Sequence, residues 1–183
     1  MQLKTVDQAF DFLATRAIGR YGLSDVSQLE HALQSAALAV ERGHGDALAV
    51  AALFHDVGHL LTARDVSLAE QGVDDRHEDA GAAMLAGLFG AEVLEPIRLH
   101  VAAKRWLCAV EADYFGRLAA DSVRSLELQG GPMSPAEAAA FGARPHAEAA
   151  ARLRRIDDDA KTPGLAVPGL DAYRDMAARL ALA

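Results

Sequence analysis

An alanine-rich apolar run, DALAVAALFHDVGHL at residues 46–60, most constrains what this chain can fold into. Alanine and leucine favour helices that pack at short distances, so the run predicts an apolar helix. The whole chain is 51% hydrophobic but only 5% aromatic, and no segment alternates cleanly enough to be a strand. We therefore predict an all-α protein.

Length and charge bound the organisation and the partners of the chain. Its 183 residues match one helical domain with a real core, since a domain of this size buries roughly 70% of its unfolded surface. The net charge of −8 argues against nucleic acid and anionic membranes as partners, because both require a basic surface. The single Cys108 and an N-terminus without a signal-like pattern predict a cytoplasmic protein.

Capping signals and breakers divide the chain into predicted helices. SQLE at 27–30 reads as a capping box, with Ser27 followed three residues later by Glu30. Asp46 is the predicted N-cap of the apolar helix, which breaks at Gly58, and Pro96 is predicted in the first turn of a later helix. The predicted helices span residues 6–21, 27–42, 46–58, 77–89, 95–110, 117–127, 135–141, 145–161 and 170–181, and 62–76 is predicted to be a loop.

Five of the seven histidines fall near helix ends or breaks, or one turn inside a helix: His31, His55, His59, His77 and His100. A single histidine in such a place is more often a capping or half-buried residue than a ligand. Several together with Asp56 favour a metal site, because imidazole suits transition metals and a carboxylate neutralises their charge. The two oxygens of Asp56 can also bridge two ions.

The order of these residues carries a family resemblance. His31, His55, Asp56, His77 and His100, followed by Asp157 in RRIDDDAKTPG, resemble the HD-domain superfamily of helical metalloenzymes. The stretches QLEHALQ, HVAAKRWL and SLELQGGPMS further resemble the small HD-domain oxygenases of organophosphonate breakdown, and more distantly myo-inositol oxygenase. The likeness extends from about Tyr21 to Tyr173.

The resemblance implies a mixed-valence di-iron centre, Fe(II)/Fe(III), with O2 as co-substrate. It implies that His31, His55, Asp56 and Asp157 hold one iron and that His77 and His100 hold the other, with Asp56 bridging. His59 then lies beyond the ligands, near the oxygen and the substrate. Asp158 and Asp159 are taken as solvated helix charges. We accordingly predict one HD domain over residues 1–183, with the metal-binding core at about 21–161 and a C-terminal helix at 170–181.

A small organophosphonate requires cations and hydroxyl donors beside the metals. Lys104, one turn from His100, and Arg154, three residues before Asp157, are predicted to face the metal cleft. By resemblance, Ser122, Ser125 and Gln129 complete the phosphonate site, although each can also be an ordinary polar residue on a helix. No obligate protein partner is implied.

The chain departs from the primary-amine branch of the family before the first predicted ligand. There we expect a tyrosine followed three residues later by a glutamate, but Tyr21 is followed by Gly22, Leu23, Ser24 and only then Asp25. A tyrosine face with a displaced carboxylate suits a methylated ammonium. The predicted substrate is therefore a 1-hydroxy-2-aminoethylphosphonate or its N-trimethyl relative, with the latter favoured.

The predicted reaction is oxygen-dependent cleavage of the C–P bond, releasing phosphate and glycine or glycine betaine. One alternative is a metal-dependent phosphohydrolase of nucleotides or phosphomonoesters, in which the metals activate a water. Another is a degenerate HD domain that binds a ligand without catalysis. The full ligand set makes the degenerate domain the weaker alternative.

Overall fold

The structure, a computed structural model, describes residues 1–19, 25–61 and 76–182. Within these ranges the chain is helical, and the strand-like features are isolated bridges, one of which joins Phe89 and Ala181. The all-α prediction is confirmed. The α-helices are α1 (Val6–Arg16), α2 (Gln28–Glu41), α3 (Asp46–Phe54), α4 (His77–Leu85), α5 (Ala91–Val110), α6 (Ala120–Leu128), α7 (Pro135–Gly142), α8 (Ala147–Asp159) and α9 (Arg174–Leu180). Three 3-10 helices span Val57–Leu61, Phe115–Arg117 and Leu170–Tyr173.

Helix α3 is the centre of the bundle. Every residue from Leu48 to Phe54 is buried, because the helix is apolar on all sides and packs against α2, α5, α8 and α9. Phe54 contributes edge-to-face packing to Phe10 of α1, with ring centroids 5.6 Å apart. A helix held on all sides gives the residues at its end a fixed position.

Several predicted helix boundaries are wrong, including the end of α4, which lies at Leu85 instead of Phe89. Tertiary contacts explain two of the others. Helix α1 ends at Arg16 instead of residue 21, because the carbonyls of Ala17 and Gly19 accept hydrogen bonds from the first turn of α2. Helix α5 begins at Ala91, so Pro96 lies inside it. A proline inside a helix costs about 3 kcal/mol in isolation, and the packing of α5 against α3, α4 and α8 offsets that cost.

The capping predictions fare better. Ser27 and Glu30 form the predicted capping box, which begins α2. Ser134 and Glu137 form a second one at α7. The prediction of Asp46 as an N-cap is wrong: Asp46 is the first residue of α3, and Gly45, whose φ is 84°, is the N-cap without a side-chain hydrogen bond. The predicted C-terminal helix is a 3-10 turn followed by α9, which packs on α1 and α3. That residues 1–183 form one domain stays a prediction.

The predicted loop at 62–76 lies outside the described residues except for Arg76. Across the described parts of the chain, no helix combines the length and the apolar composition that a bilayer crossing requires.

Candidate metal centre and anion site

Four helices and one helix junction bring the predicted metal ligands to one place. His55 and Asp56 follow the last residue of α3 and precede the 3-10 helix, where the change of helix type turns both side chains toward the same cleft. The others come from the first turn of α2, the first residue of α4, the middle of α5 and the end of α8: His31, His77, His100 and Asp157. All but Asp56 are buried, and Asp56 is 16% exposed.

Asp56 lies between two pairs of histidines. Its Oδ2 is 3.6 Å from His31 Nε2 and 3.3 Å from His55 Nε2. Its Oδ1 is 3.5 Å from His77 Nε2 and 3.6 Å from His100 Nε2. Each oxygen of the carboxylate thus faces its own pair of imidazoles, which is the arrangement needed to bridge two ions.

The outer ring nitrogens orient the imidazoles. The Nδ1 atoms of His31, His55 and His100 lie 2.9, 2.8 and 2.7 Å from the carbonyl oxygens of Ala160, Ala52 and Ile97. A carbonyl only accepts, so Nδ1 donates and carries the proton. Nε2 is then left with its lone pair toward Asp56, as in most metal-binding histidines.

The spacing of these nitrogens fits a cation between them. The Nε2 atoms of His31 and His55 are 3.2 Å apart, and so are those of His77 and His100. Two ligand atoms bound to one ion at about 2.1 Å and near right or tetrahedral angles are separated by about 3.0–3.4 Å. With neither an ion nor a shared proton, the paired lone pairs repel each other, and Asp56 Oδ2 is buried without a hydrogen-bond partner among the described residues. The cluster therefore fits metal ions.

Asp157 completes the first pair. Its Oδ1 lies 3.4 Å from His31 Nε2 and 3.9 Å from His55 Nε2. The ligand atoms of His31, His55, Asp56 and Asp157 all lie within 4.8 Å of one another. Without any further residue, these four can hold a metal ion with two neutral and two anionic ligands.

The electrostatics of the protein without metal also favour a positive charge in the cluster. Burial alone would lower the pKa of His55, but the carboxylates of Asp56 and Asp157 outweigh it and raise the pKa to about 9. Burial and the nearby imidazoles of His77 and His55 hold the pKa of His100 well below its usual value. A proton on His55 thus takes the place that a metal cation would fill.

His59 stands at the edge of the cluster. Its ring stacks on that of His77, with centroids 3.7 Å apart, and its Nε2 lies 4.0 Å from Asp56 Oδ1. Asp56, His59 and His77 also satisfy the spacing of a metal site. The His59 side chain is 32% exposed, which is far more than the other histidines of the cluster. It therefore borders the open side of the cleft.

Gly58 permits the close approach of α4 to the 3-10 helix. A Cβ on Gly58 would lie 2.0 Å from the carbonyl oxygen of His77, which is backbone and cannot move away alone. Gly81 of α4 packs on the other side, where its Cβ would meet Gly58 N at 3.2 Å. Two glycines therefore bring His77 within reach of Asp56.

Gly58→Ala is expected to displace the start of α4 and to weaken metal binding on the side of His77 and His100 by at least about tenfold. Metal affinity measured by competition with a chelator tests this. Gly87→Ala is the matched control, since its Cβ would meet Leu3 O at an ordinary 3.8 Å. A Gly58→Ala protein that binds metal as tightly as the wild type contradicts this account of Gly58.

A second group of polar side chains lies beside the cluster, where α5, α6 and α8 meet. Lys104 Nζ donates to Ser125 Oγ at 2.6 Å, and Arg154 Nη2 donates to Ser122 Oγ at 3.2 Å. Gln129 Oε1 is buried without a hydrogen-bond partner in the described residues. Lys104, Arg154, Ser122 and Ser125 thus form one neighbourhood of two cations and two hydroxyls.

The pKa values of the two cations shift in opposite directions, although burial lowers both. Burial, with Arg154 nearby, lowers the pKa of Lys104 to about 7. For Arg154 the carboxylates of Asp157 and Asp158 outweigh burial and raise the pKa further above its usual value. Lys104 is 2% exposed, so it is a buried amine whose charge depends on an anion beside it.

The prediction that Asp158 is a solvated charge is wrong. Asp158 accepts a hydrogen bond from Tyr114 and forms an ion pair with Arg154. Sequence analysis also missed Lys161, whose Nζ is 3.4 Å from Asp157 Oδ1. The i, i+4 spacing of Arg154 and Asp158 was the one sequence signal of their ion pair. Asp159, by contrast, is exposed and pairs with Arg42.

Two predicted substrate residues are not brought to the site by the described structure. Tyr21 lies outside the described residues. Asp25 is exposed, ahead of α2. Their roles toward a substrate stay predictions.

Known proteins match this chain over most of its length. The HD domain family model matches residues 29–153. Hydroxymethylphosphonate dioxygenase from Gimesia maris is 50% identical over 149 residues, which cover 81% of this chain and 74% of that protein. A 1-hydroxy-2-(trimethylamino)ethylphosphonate dioxygenase (glycine-betaine-forming) from Leisingera caerulea is 36% identical over 155 residues, 85% of this chain and 79% of that protein. The chain belongs to the HD-domain family, in the group that includes these phosphonate dioxygenases.

Proposed function

We propose that this protein cleaves the C–P bond of a small 1-hydroxyphosphonate with O2. The reaction R–CH(OH)–PO3H2 + O2 → R–COOH + H3PO4 balances without a further reductant. The observation that carries the proposal is the Asp56 carboxylate, with one oxygen toward each pair of histidines beside a buried site for an anion. The names of both relatives support it.

The proposed metal centre contains two irons. In this proposal His31, His55, Asp56 and Asp157 hold one iron, and Asp56, His77 and His100 hold the other. Bound iron supplies the one-electron activation of O2, which is chemistry of the metal and not of the protein. His59 stays outside the proposed ligands, because its Nε2 lies 4.0 Å from Asp56 Oδ1 and its ring is partly exposed. We propose that it faces O2 and the substrate.

The residues of the anion site do the binding and orienting. Lys104 is proposed to pair with the phosphonate, with Ser122, Ser125 and Gln129 as hydrogen-bonding partners. Because Lys104 is buried and its pKa is lowered to about 7, a dianion beside it favours the protonated amine. Fixing the phosphonate holds C1 in one orientation toward the metals, and such positioning supplies much of a barrier reduction.

Two substituents on C1 deserve separate tests. The 50% identity to hydroxymethylphosphonate dioxygenase favours a substrate in which the group R on C1 is a hydrogen atom. The departure at Tyr21 to Asp25 and the second relative favour an N-trimethyl group. A substrate without a cationic end requires no carboxylate from Asp25, whereas a trimethylammonium benefits from one.

The test is a substrate panel with the iron-loaded protein in air. Hydroxymethylphosphonate is expected to give formate, and the aminoethyl and trimethylaminoethyl compounds glycine and glycine betaine, each with one phosphate per O2 consumed. Relative kcat/KM values then assign the substituent. If no member of the panel yields phosphate in an oxygen-dependent manner, the proposed function is wrong.

The same assay distinguishes the phosphohydrolase alternative. That activity needs no O2 and is supported by redox-inert divalent ions acting on a bound water. Phosphate release from a phosphomonoester under argon, with Mn²⁺ or Mg²⁺ in place of iron, would favour it. If phosphate is released only in air and only with iron, the phosphohydrolase alternative is excluded.

The proposed function needs no macromolecular partner. We also propose a cytoplasmic location, consistent with the helix survey above. A net charge of −8 disfavours binding to nucleic acid, while the buried amine of Lys104 suits a small anion.

A further inference from the structure

The guanidinium of Arg154 is engaged almost completely by the protein itself. Nη1 donates to Asp157 Oδ2 at 2.6 Å, and Nη2 donates to Asp158 Oδ1 and to Ser122 Oγ. Nε donates to Tyr114 OH at 3.3 Å. A guanidinium has five N–H donors, so these contacts use all but one of them. Little of Arg154 is left to bind a substrate.

Tyr114 and Asp158 close a ring of hydrogen bonds around Arg154. The Tyr114 hydroxyl donates to Asp158 Oδ2 and accepts from Arg154 Nε, while Asp158 Oδ1 accepts from Arg154 Nη2. Tyr114 is 3% exposed and lies in the segment that follows α5. The ring therefore ties α8 to that segment and fixes the plane of the guanidinium on two edges.

The fixed guanidinium decides which oxygen of Asp157 faces the metal cluster. Arg154 occupies Oδ2, and Oδ1 faces the cluster 3.4 Å from His31 Nε2, with Lys161 Nζ also 3.4 Å away. Asp157 therefore presents one oxygen to a metal instead of two. An arginine free to rotate would release Oδ2 and let the carboxylate turn.

We propose that Tyr114 and Asp158 are positioning residues, which act through Arg154 to set the orientation of Asp157 as a metal ligand. The inference rests on the proposed metal centre and deepens it, since it assigns to Arg154 an orienting role in place of direct phosphonate binding. Partners of metal ligands of this kind typically change metal affinity by about 10- to 100-fold when removed.

The test compares Tyr114→Phe and Asp158→Asn by titration of the metal-stripped full chain with Co²⁺. The visible absorption of bound Co²⁺ reports ligand geometry, and competition with a chelator gives the affinity. Both variants are expected to bind Co²⁺ at the Asp157 side at least about tenfold more weakly and with an altered spectrum. Co²⁺ binding does not depend on turnover, so a wild type that binds Co²⁺ but releases no phosphate contradicts the proposed function and not this inference.

Glu111→Gln is the matched control. Glu111 pairs with Arg155 of α8 and with Arg117, so this variant removes an ion pair between α8 and the same segment without touching Arg154. It is expected to melt at a lower temperature yet to bind Co²⁺ with the wild-type spectrum. If Tyr114→Phe and Asp158→Asn differ from wild type no more than Glu111→Gln does, or if the wild type binds no Co²⁺, the proposal is overturned.

A double-mutant cycle tests the route through Arg154. In an Arg154→Gln background, Tyr114→Phe is expected to cause no further loss of Co²⁺ affinity, because residues that act through one partner are not additive. A full additional loss overturns the proposal. Should Arg154→Gln fail to fold, Asp158→Glu replaces it: the retained carboxylate is expected to restore part of the affinity lost in Asp158→Asn, and no restoration overturns the proposal.

Discussion

Asp56→Asn is expected to lower phosphate release at least about a thousandfold, equivalent to about 4 kcal/mol of transition-state stabilisation. Each oxygen of Asp56 faces two imidazole nitrogens at 3.3–3.6 Å. An asparagine is neutral and turns an NH2 group toward one of the two pairs, so it cannot bridge. Metal analysis of the purified variant is therefore expected to show no more than one tightly bound ion per chain.

Asp159→Asn is the matched control for that prediction. It is the same isosteric change, made at a carboxylate that is 56% exposed and pairs with Arg42. Metal content and turnover are expected to equal those of the wild type, since a surface ion pair contributes about 0–1 kcal/mol. An Asp56→Asn protein that keeps two ions and most of its activity contradicts the bridging role.

Lys104→Met is expected to weaken phosphonate binding and to stabilise the fold. Removing one partner of a buried charge pair costs about 2–5 kcal/mol, so we expect KM to rise at least about 30-fold. The amine is buried with Ser125 as its hydrogen-bond partner. In the absence of substrate the buried amine lowers the stability of the folded protein, whereas a methionine fills the same space without a charge. Steady-state kinetics and thermal melts measure the two effects.

The stabilisation of the fold by Lys104→Met is expected to depend on pH. Burial lowers the pKa of Lys104 from 10.5 to about 7. Between these values the unfolded chain binds a proton that the folded protein does not, so wild-type stability rises with pH across this range. Lys104→Met removes that slope: its melting temperature is expected to exceed the wild type's most at about pH 6 and least at about pH 10.

Lys4→Met is the control for the pH series, because it is the same substitution at an exposed lysine. It is expected to leave the pH dependence of melting unchanged. If Lys104→Met melts below the wild type at every pH, Lys104 stabilises the empty site and the account above is wrong.

The fold was predictable where one local signal sufficed. The capping box at Ser27 placed His31 in the first turn of α2, and the apolar run placed His55 and Asp56 at the end of a buried helix. The errors came where tertiary contacts decide. Helix α1 ends early because its carbonyls pair with α2, and α5 continues through Pro96 because it is packed on several sides.

The candidate site shows the same division. Sequence order and family resemblance indicated the ligands and the bridging position of Asp56, but they could not give the hydrogen bonds from backbone carbonyls that orient the imidazoles. Three successive aspartates at 157–159 look alike in sequence, and only the rotation of α8 decides which is buried. Tyr114 carried no signal, because its partner Arg154 is 40 residues away along the chain.

The hydrogen bond from His31 to the carbonyl of Ala160 joins residues 129 positions apart in sequence. Asp157 lies at the same end of α8 as Ala160. The proposed first iron site therefore combines residues from both ends of the predicted core. Contacts of such long range form late, because the chain entropy of closing a long loop must be offset first. We therefore expect the metal to enter only after nearly the whole chain has folded, so that metal retention reports the completion of folding.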